Sequence, residues 1–128
     1  MPEIHADGAA RLLEPAHELH APGLILPEFG NILWKKIRRG EFTADRGREI
    51  MRAFLAVPLL RHSAVPLLEP AFEAAIGTQE TVYGCIYLAL SVTLACQMVT
   101  ADERFYKALR PGPLGSSLLW VEDLPHDN

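Results

Sequence analysis

TVYGCIYLALSVTLACQMVTAD, residues 81–102, is uncharged until its final aspartate. A run of this length approaches the about 20 apolar residues that cross a bilayer. Its composition argues otherwise: Thr81, Tyr83, Ser91, Thr93 and Gln97 interrupt it, and its pattern changes near Ala95. Before Ala95 the residues suit a helix; after it, Cys96, Gln97, Met98, Val99 and Thr100 suit a strand. A helix feeding a strand buried on both faces accounts for the continuous apolar character, because parallel strands covered by helices lose the alternation of half-exposed ones. The stretch therefore predicts a layered α/β domain with no membrane span. It also delivers Thr100 and Asp102 to the carboxyl end of that strand.

Helical and extended patterns alternate on either side. Residues 3–13 place Ile4, Ala9, Leu12 and Leu13 at helical spacing, limited by Pro15, and a short strand is expected at 18–21. Pro22 and Pro27 bracket the entry of a longer helix whose apolar ladder is Leu26, Phe29, Leu33 and Ile37, with Gly40 as its stop. Thr43 reads as the N-cap of a helix carrying Ile50, Met51, Phe54 and Leu55, with Asp45 favourable to its dipole and Pro58 beyond its end. A strand at 59–63, a helix at 69–76 stopped by Gly77, a short helix at 102–109 and a last strand at 118–121 complete the series. Alternation of this kind implies an α/β domain with a mainly parallel sheet.

At 128 residues, 49% of them hydrophobic and 22% charged, the chain is sized for one core. A single domain over residues 1–124 with a loose tail at 125–128 follows. The net charge of −4 excludes a general basic coat for nucleic acid, so any such contact must be local. Cys85 and Cys96 make no metal-type spacing and read as small buried thiols of a reducing compartment. The opening MPEIHADGAARLLEP has acids and a proline where a secretion signal has basic residues and an apolar core. A cytoplasmic protein is expected.

Ligands of open parallel sheets gather outside the carboxyl ends of the strands, where helix N-termini also point. That rule selects Thr100-Ala101-Asp102 and the start of the longer helix, where Glu28 and Asn31 share a face at i, i+3. Two carboxylates joined there could hold Mg²⁺ or Mn²⁺, hard cations that take oxygen ligands. Each acid also has a structural reading, Asp102 as a helix N-cap and Glu28 as a first-turn dipole partner.

The order of three segments carries more information than any one residue. HAPGLILPEFGNILWKKIRRGEFT at 20–43, TVYGCIYLALSVTLACQMVTADERF at 81–105 and SLLWVED at 117–123 together resemble a PIN domain, specifically the VapC-like toxins of toxin–antitoxin pairs. The family pattern of proline, apolar residues, glutamate, two residues and asparagine falls on Glu28 and Asn31, and its strand ending in Thr-x-Asp falls on Thr100 and Asp102. The resemblance implies a three-layer α/β/α fold. It implies an endoribonuclease in which clustered acids hold Mg²⁺ or Mn²⁺, a metal-activated water attacks the RNA phosphodiester, and a partner antitoxin blocks the site. In this reading Glu28 and Asp102 are metal ligands, Asn31 orients Glu28 or a water, and Thr100 supports Asp102 or contacts phosphate.

Two departures bear on activity. The family pattern opens with a central strand ending in an acid, ahead of a segment resembling Pro2-Glu3, whereas this chain begins at Met1; that strand and its aspartate are expected to be missing. A further family acid follows the tyrosine in a Tyr-Asp-x-x-Tyr pattern, where this sequence has Tyr83-Gly84-Cys85-Ile86-Tyr87. These departures predict weak or lost metal binding and impaired cleavage, with a non-catalytic module that binds antitoxin and dimerises as the alternative. A gap in the sheet would be closed by residues upstream in the natural gene product, by another segment or by a partner chain, and the last predicts dependence on self-association. Lys35, Lys36, Arg38 and Arg39 read either as RNA or antitoxin contacts or as a solvated helix end. Tyr83 and Tyr87 read as packing residues, Trp34 as a possible subunit contact, and His17 and His20 as strand residues without a third metal ligand.

Overall fold

The structure, a computed structural model, describes residues 18–123. The expected helix at 3–13, His17 and the tail at 125–128 lie outside the described residues. In chain order the elements are β1 (Leu19–Pro22), α1 (Ile25–Arg38), α2 (Ala44–Leu55), β2 (Leu59–His62), α3 (Leu68–Thr78), α4 (Val82–Leu94), β3 (Met98–Thr100), α5 (Glu103–Leu109) and β4 (Leu118–Trp120). No helix among the described residues is long and apolar enough to cross a membrane.

Local chemistry sets the boundaries. The Thr43 hydroxyl accepts the Arg46 amide at 3.1 Å and starts α2. Gly40, at φ +75°, turns the chain out of α1. Gly77 does not stop α3: the helix runs through it to Thr78, and Gln79 takes the left-handed conformation at φ 62°. At the other end of the 81–102 stretch, Ala95 at φ 55° ends α4 and re-aims the chain into β3. The strand is shorter than the sequence predicts, beginning at Met98. Only Thr100 in it is buried, Met98 and Val99 being half-buried.

All strand pairing is parallel, as expected, but the described strands form two pairs and not one sheet. β1 pairs with β2 in the register Leu19↔Leu59, and β3 with β4 in the register Met98↔Leu118. The described residues contain no strand between β1 and β3 to join the pairs. α4 does the joining instead, packing against both β1 and β3. One side of it forms a core with Leu67 and Ala71 through Cys85, Ile86 and Leu90, and Leu88 packs with Phe105, Leu109 and Leu118. This buries α4 on most of its circumference, which is why the stretch reads as continuously apolar. Each fully buried Leu or Ile adds about 1.5–3 kcal/mol. α1 and α2 pack together through the Phe29–Phe54 stack, centroids 3.9 Å apart, and at Gly47, where a β-carbon would lie 2.5 Å from Ile37 Cδ1.

Candidate functional site

Both strands that precede a candidate acid end at the same kind of place, a strand terminus followed by a helix start. Glu28 stands in the first turn of α1, which follows β1; Asp102 is the N-cap of α5, which follows β3. Asp102 is exposed, and its Oδ1 accepts the Phe105 amide at 3.1 Å. Thr100 is buried, and its hydroxyl oxygen accepts the Asp102 amide at 3.0 Å, fixing the turn that presents the carboxylate. The structural reading of Asp102 as a cap is therefore realised through one oxygen, and Oδ2 is left over.

Glu28 is held by a residue that sequence reasoning assigned to packing. The Tyr87 hydroxyl donates to Glu28 Oε1 across 59 residues of sequence. Burial first, and then the bond to Glu28 and its charge, push the Tyr87 phenol well above the ordinary tyrosine range. Asn31 lies exposed one turn along α1, so the carboxylate is fixed by Tyr87 and Asn31 is free to face solvent. Tyr83 is 66% exposed and belongs to no core. The i, i+4 spacing of Tyr83 and Tyr87 could have suggested a site-facing hydroxyl, but nothing local said which tyrosine would find a carboxylate.

Tyr87 and Gly84 are one turn apart on α4, which brings the other side of the site close. A β-carbon on Gly84 would sit 2.9 Å from Phe105 Cε2 and 3.5 Å from Thr81 Oγ1. The ring of Phe105, in the first turn of α5, thus occupies the space beside Gly84. Just before α4, the Glu80 carboxylate is 5% exposed and pairs with Arg104 at 3.4 Å. The sequence reading also passed over this acid. The starts of α4 and α5 are locked together by Glu80–Arg104 and Gly84–Phe105, and α1 is tied to α4 by Tyr87–Glu28. Pairwise links thus run from α1 to α4 and from α4 to α5.

The resemblance implies a divalent ion at these acids. Carboxylate oxygens are the right kind of ligand for Mg²⁺ or Mn²⁺. Their number and state do not fit a resident ion: Glu28 is engaged by Tyr87, Asp102 by the Phe105 amide, Glu80 is neutralised by Arg104, and position 84 has no side chain. No group of three or more His, Cys, Asp or Glu among the described residues is arranged to hold a metal. A second polar cluster lies on the other strand pair, where His20 Nδ1 is 2.9 Å from His62 Nε2 and His20 Nε2 is 2.8 Å from Glu18 Oε1. It contains no residue of the candidate site.

Comparison with known proteins places these features in a family. No protein-family model matches the chain. Curated relatives do. Ribonuclease VapC3 of Pyrobaculum aerophilum is 32% identical over 108 residues, 81% of this chain and 81% of the relative. VapC ribonuclease Mb0985 of Mycobacterium bovis and ribonuclease VapC9 of Mycobacterium tuberculosis are each 34% identical over 98 residues, 77% of this chain and 76% of the relative. Identity at this level across this share of both chains means that the chain belongs to the VapC ribonuclease family.

Proposed function

We propose that this chain is an RNA-directed VapC-type protein whose phosphodiester hydrolysis is weak. The observation that carries the reading is the junction of α1, α4 and α5: it keeps Glu28 and Asp102, yet position 84 is a glycine packed by Phe105. Relatives named as ribonucleases point to an RNA phosphodiester as the substrate. Glu28 Oε2 and Asp102 Oδ2 are the carboxylate oxygens that remain for chemistry, with Tyr87 fixing Glu28 and Thr100 steadying Asp102. Asn31, at i+3 from Glu28, is placed to hold a water or a ribose hydroxyl. These two acids leave too little negative charge to hold Mg²⁺ or Mn²⁺ firmly, so metal binding is weak or absent. The setting is the cytoplasm, and the protein partner is an antitoxin.

The test is a calorimetric Mn²⁺ titration paired with RNA cleavage, on the natural chain and on Gly84→Asp. Weak heat and slow cleavage are expected from the natural chain. Gly84→Asp should bind Mn²⁺ more tightly and cleave faster once the Phe105 ring swings aside, and Asp102→Ala should abolish the gain. Robust Mn²⁺-dependent cleavage by the natural chain, lost in Asp102→Ala, would overturn the reading.

A second reading, a non-catalytic module that dimerises and binds antitoxin, draws on the surface of α3. Leu68, Phe72 and Ile76 stand exposed along it at 44, 56 and 61%, with Val65 just ahead of it at 73%. Apolar side chains at this spacing suit a subunit contact.

A further inference from the structure

α1 presents a second surface that its role in the fold does not use. Its inner side is spent on the core, through Leu33, the Phe29–Phe54 stack and the contact of Ile37 with Gly47. Asn31, Trp34, Lys35 and Arg38 follow the i, i+3, i+4, i+7 spacing of a single face, all four are exposed, and Arg39 extends the row. Trp34 keeps 53% of its surface in solvent, and the Arg38 guanidinium carbon lies 5.2 Å from the centroid of its ring. Lys36 is paired with Glu41 at 3.3 Å, but among the described residues no carboxylate pairs with Lys35, Arg38 or Arg39. The helix dipole explains cations at this end. It does not explain an indole held in solvent beneath a guanidinium.

We propose that this face of α1 is a docking platform for single-stranded RNA, on which a base stacks against Trp34 and Arg38 while Lys35 and Arg39 hold phosphates. The inference rests on the RNA-directed reading of the site and adds where the substrate strand runs. Three observations select this occupant. Unpaired cations complement a polyanion, whereas a second copy seated across a twofold axis would oppose three cations to three. An exposed indole with a guanidinium over its ring offers π surfaces on which a base can stack while its phosphates meet the cations, a pairing that an acidic peptide without aromatic side chains lacks. The platform is also continuous with the site: Asn31 and Lys35 stand at i+3 and i+7 from Glu28 on one face of α1, the latter about 10 Å along the axis at 1.5 Å per residue.

The experiment titrates a fluorescein-labelled, unstructured 12-nucleotide RNA by anisotropy in EDTA, so that cleavage plays no part. The natural chain should bind with strong salt dependence. Trp34→Ala should bind about tenfold more weakly, the size of one lost base stack. Trp34→Phe, which keeps a ring, should stay within about threefold of the natural chain. Arg38→Gln should weaken binding and lower the slope of log affinity against log salt by about 0.7, one single-strand phosphate contact. Unchanged binding in both Trp34→Ala and Arg38→Gln would overturn the proposal. So would displacement of the RNA by poly-glutamate at equal charge, or a shift of Trp34→Ala to a smaller species in sedimentation, which would make Trp34 a subunit contact. RNA binding through the platform without any cleavage would sink the nuclease reading alone. Cleavage with platform variants that bind normally would sink the platform alone.

Discussion

Tyr87 is the residue on which the candidate site turns, because it fixes the rotamer of a half-buried carboxylate that the family would offer to a cation. Removing its hydroxyl leaves Glu28 without a donor, and Tyr87→Phe should lower stability at neutral pH by about 1–2 kcal/mol, read from urea unfolding. The same bond has a pH signature. The folded phenol keeps its proton well above the ordinary value near 10, whereas an unfolded chain releases it there. Above about pH 10 the unfolded state therefore holds fewer protons, and stability falls as pH rises toward the folded value; below that pH the contribution is intact. Thermal melts from pH 8 to 11 should show this decline, flattened in Tyr87→Phe. Gly84 is the second decisive position. Alanine there gains about 1 kcal/mol of helix propensity, but its methyl must push Phe105 out of a packed cluster with Leu88, Leu109 and Leu118, which costs about 1–3 kcal/mol. Gly84→Ala should thus lower stability by about 1 kcal/mol, measured by the same unfolding curves. A gain would show that the ring yields without strain.

Among the elements, the junction between α4 and β3 shows most plainly how local conformation serves the site. Ala95 leaves the helix at φ 55°, a region that penalises any β-carbon. Ala95→Gly, at this exposed position, should raise stability by about 1 kcal/mol without touching the core, and a denaturation midpoint shifted the other way would refute the strain. The sequence showed this break, since apolar helix character gives way to β-prone residues just there, and it showed the caps at Thr43 and Asp102 because side-chain caps are local. It also placed Glu28, Asn31, Thr100 and Asp102 on their correct elements. What it could not show is set by distance along the chain. The Tyr87–Glu28 bond spans 59 residues and the Glu80–Arg104 pair spans 24, and no pattern within one helix announces such partners. Gly77 misled for a different reason, a local one: glycine is a common stop, yet α3 runs through it and Gln79 takes the left-handed turn, with its amide on the Ala75 carbonyl at 2.8 Å.

At the scale of the whole molecule, the described residues form two parallel strand pairs held on a buried helix, α4, with a bare apolar row on α3. α3 spends one side on α4, through Ala71 and the half-buried Ala74 and Ala75. Its other side exposes Leu68, Phe72 and Ile76, with Val65 just ahead of the helix. Glu69, Pro70, Glu73 and Val82 complete a shallow cleft beside Leu68 and Phe72. A contiguous apolar row of this kind, rimmed by acids, is the type of surface that marks a protein contact. Self-association through α3 would cover it, and a twofold axis through the row would bring Phe72 against its own copy. The chain should therefore run as a dimer in size-exclusion chromatography with light scattering at micromolar concentration. Phe72→Glu should halve the measured mass, since two carboxylates would face each other in an apolar contact, while the far-ultraviolet circular dichroism stays unchanged because the residue lies outside the core. Trp34→Ala, on the opposite task of the molecule, should leave the mass as it is. A natural chain that remains monomeric and unfolds cooperatively would remove both the α3 contact and the dependence on self-association.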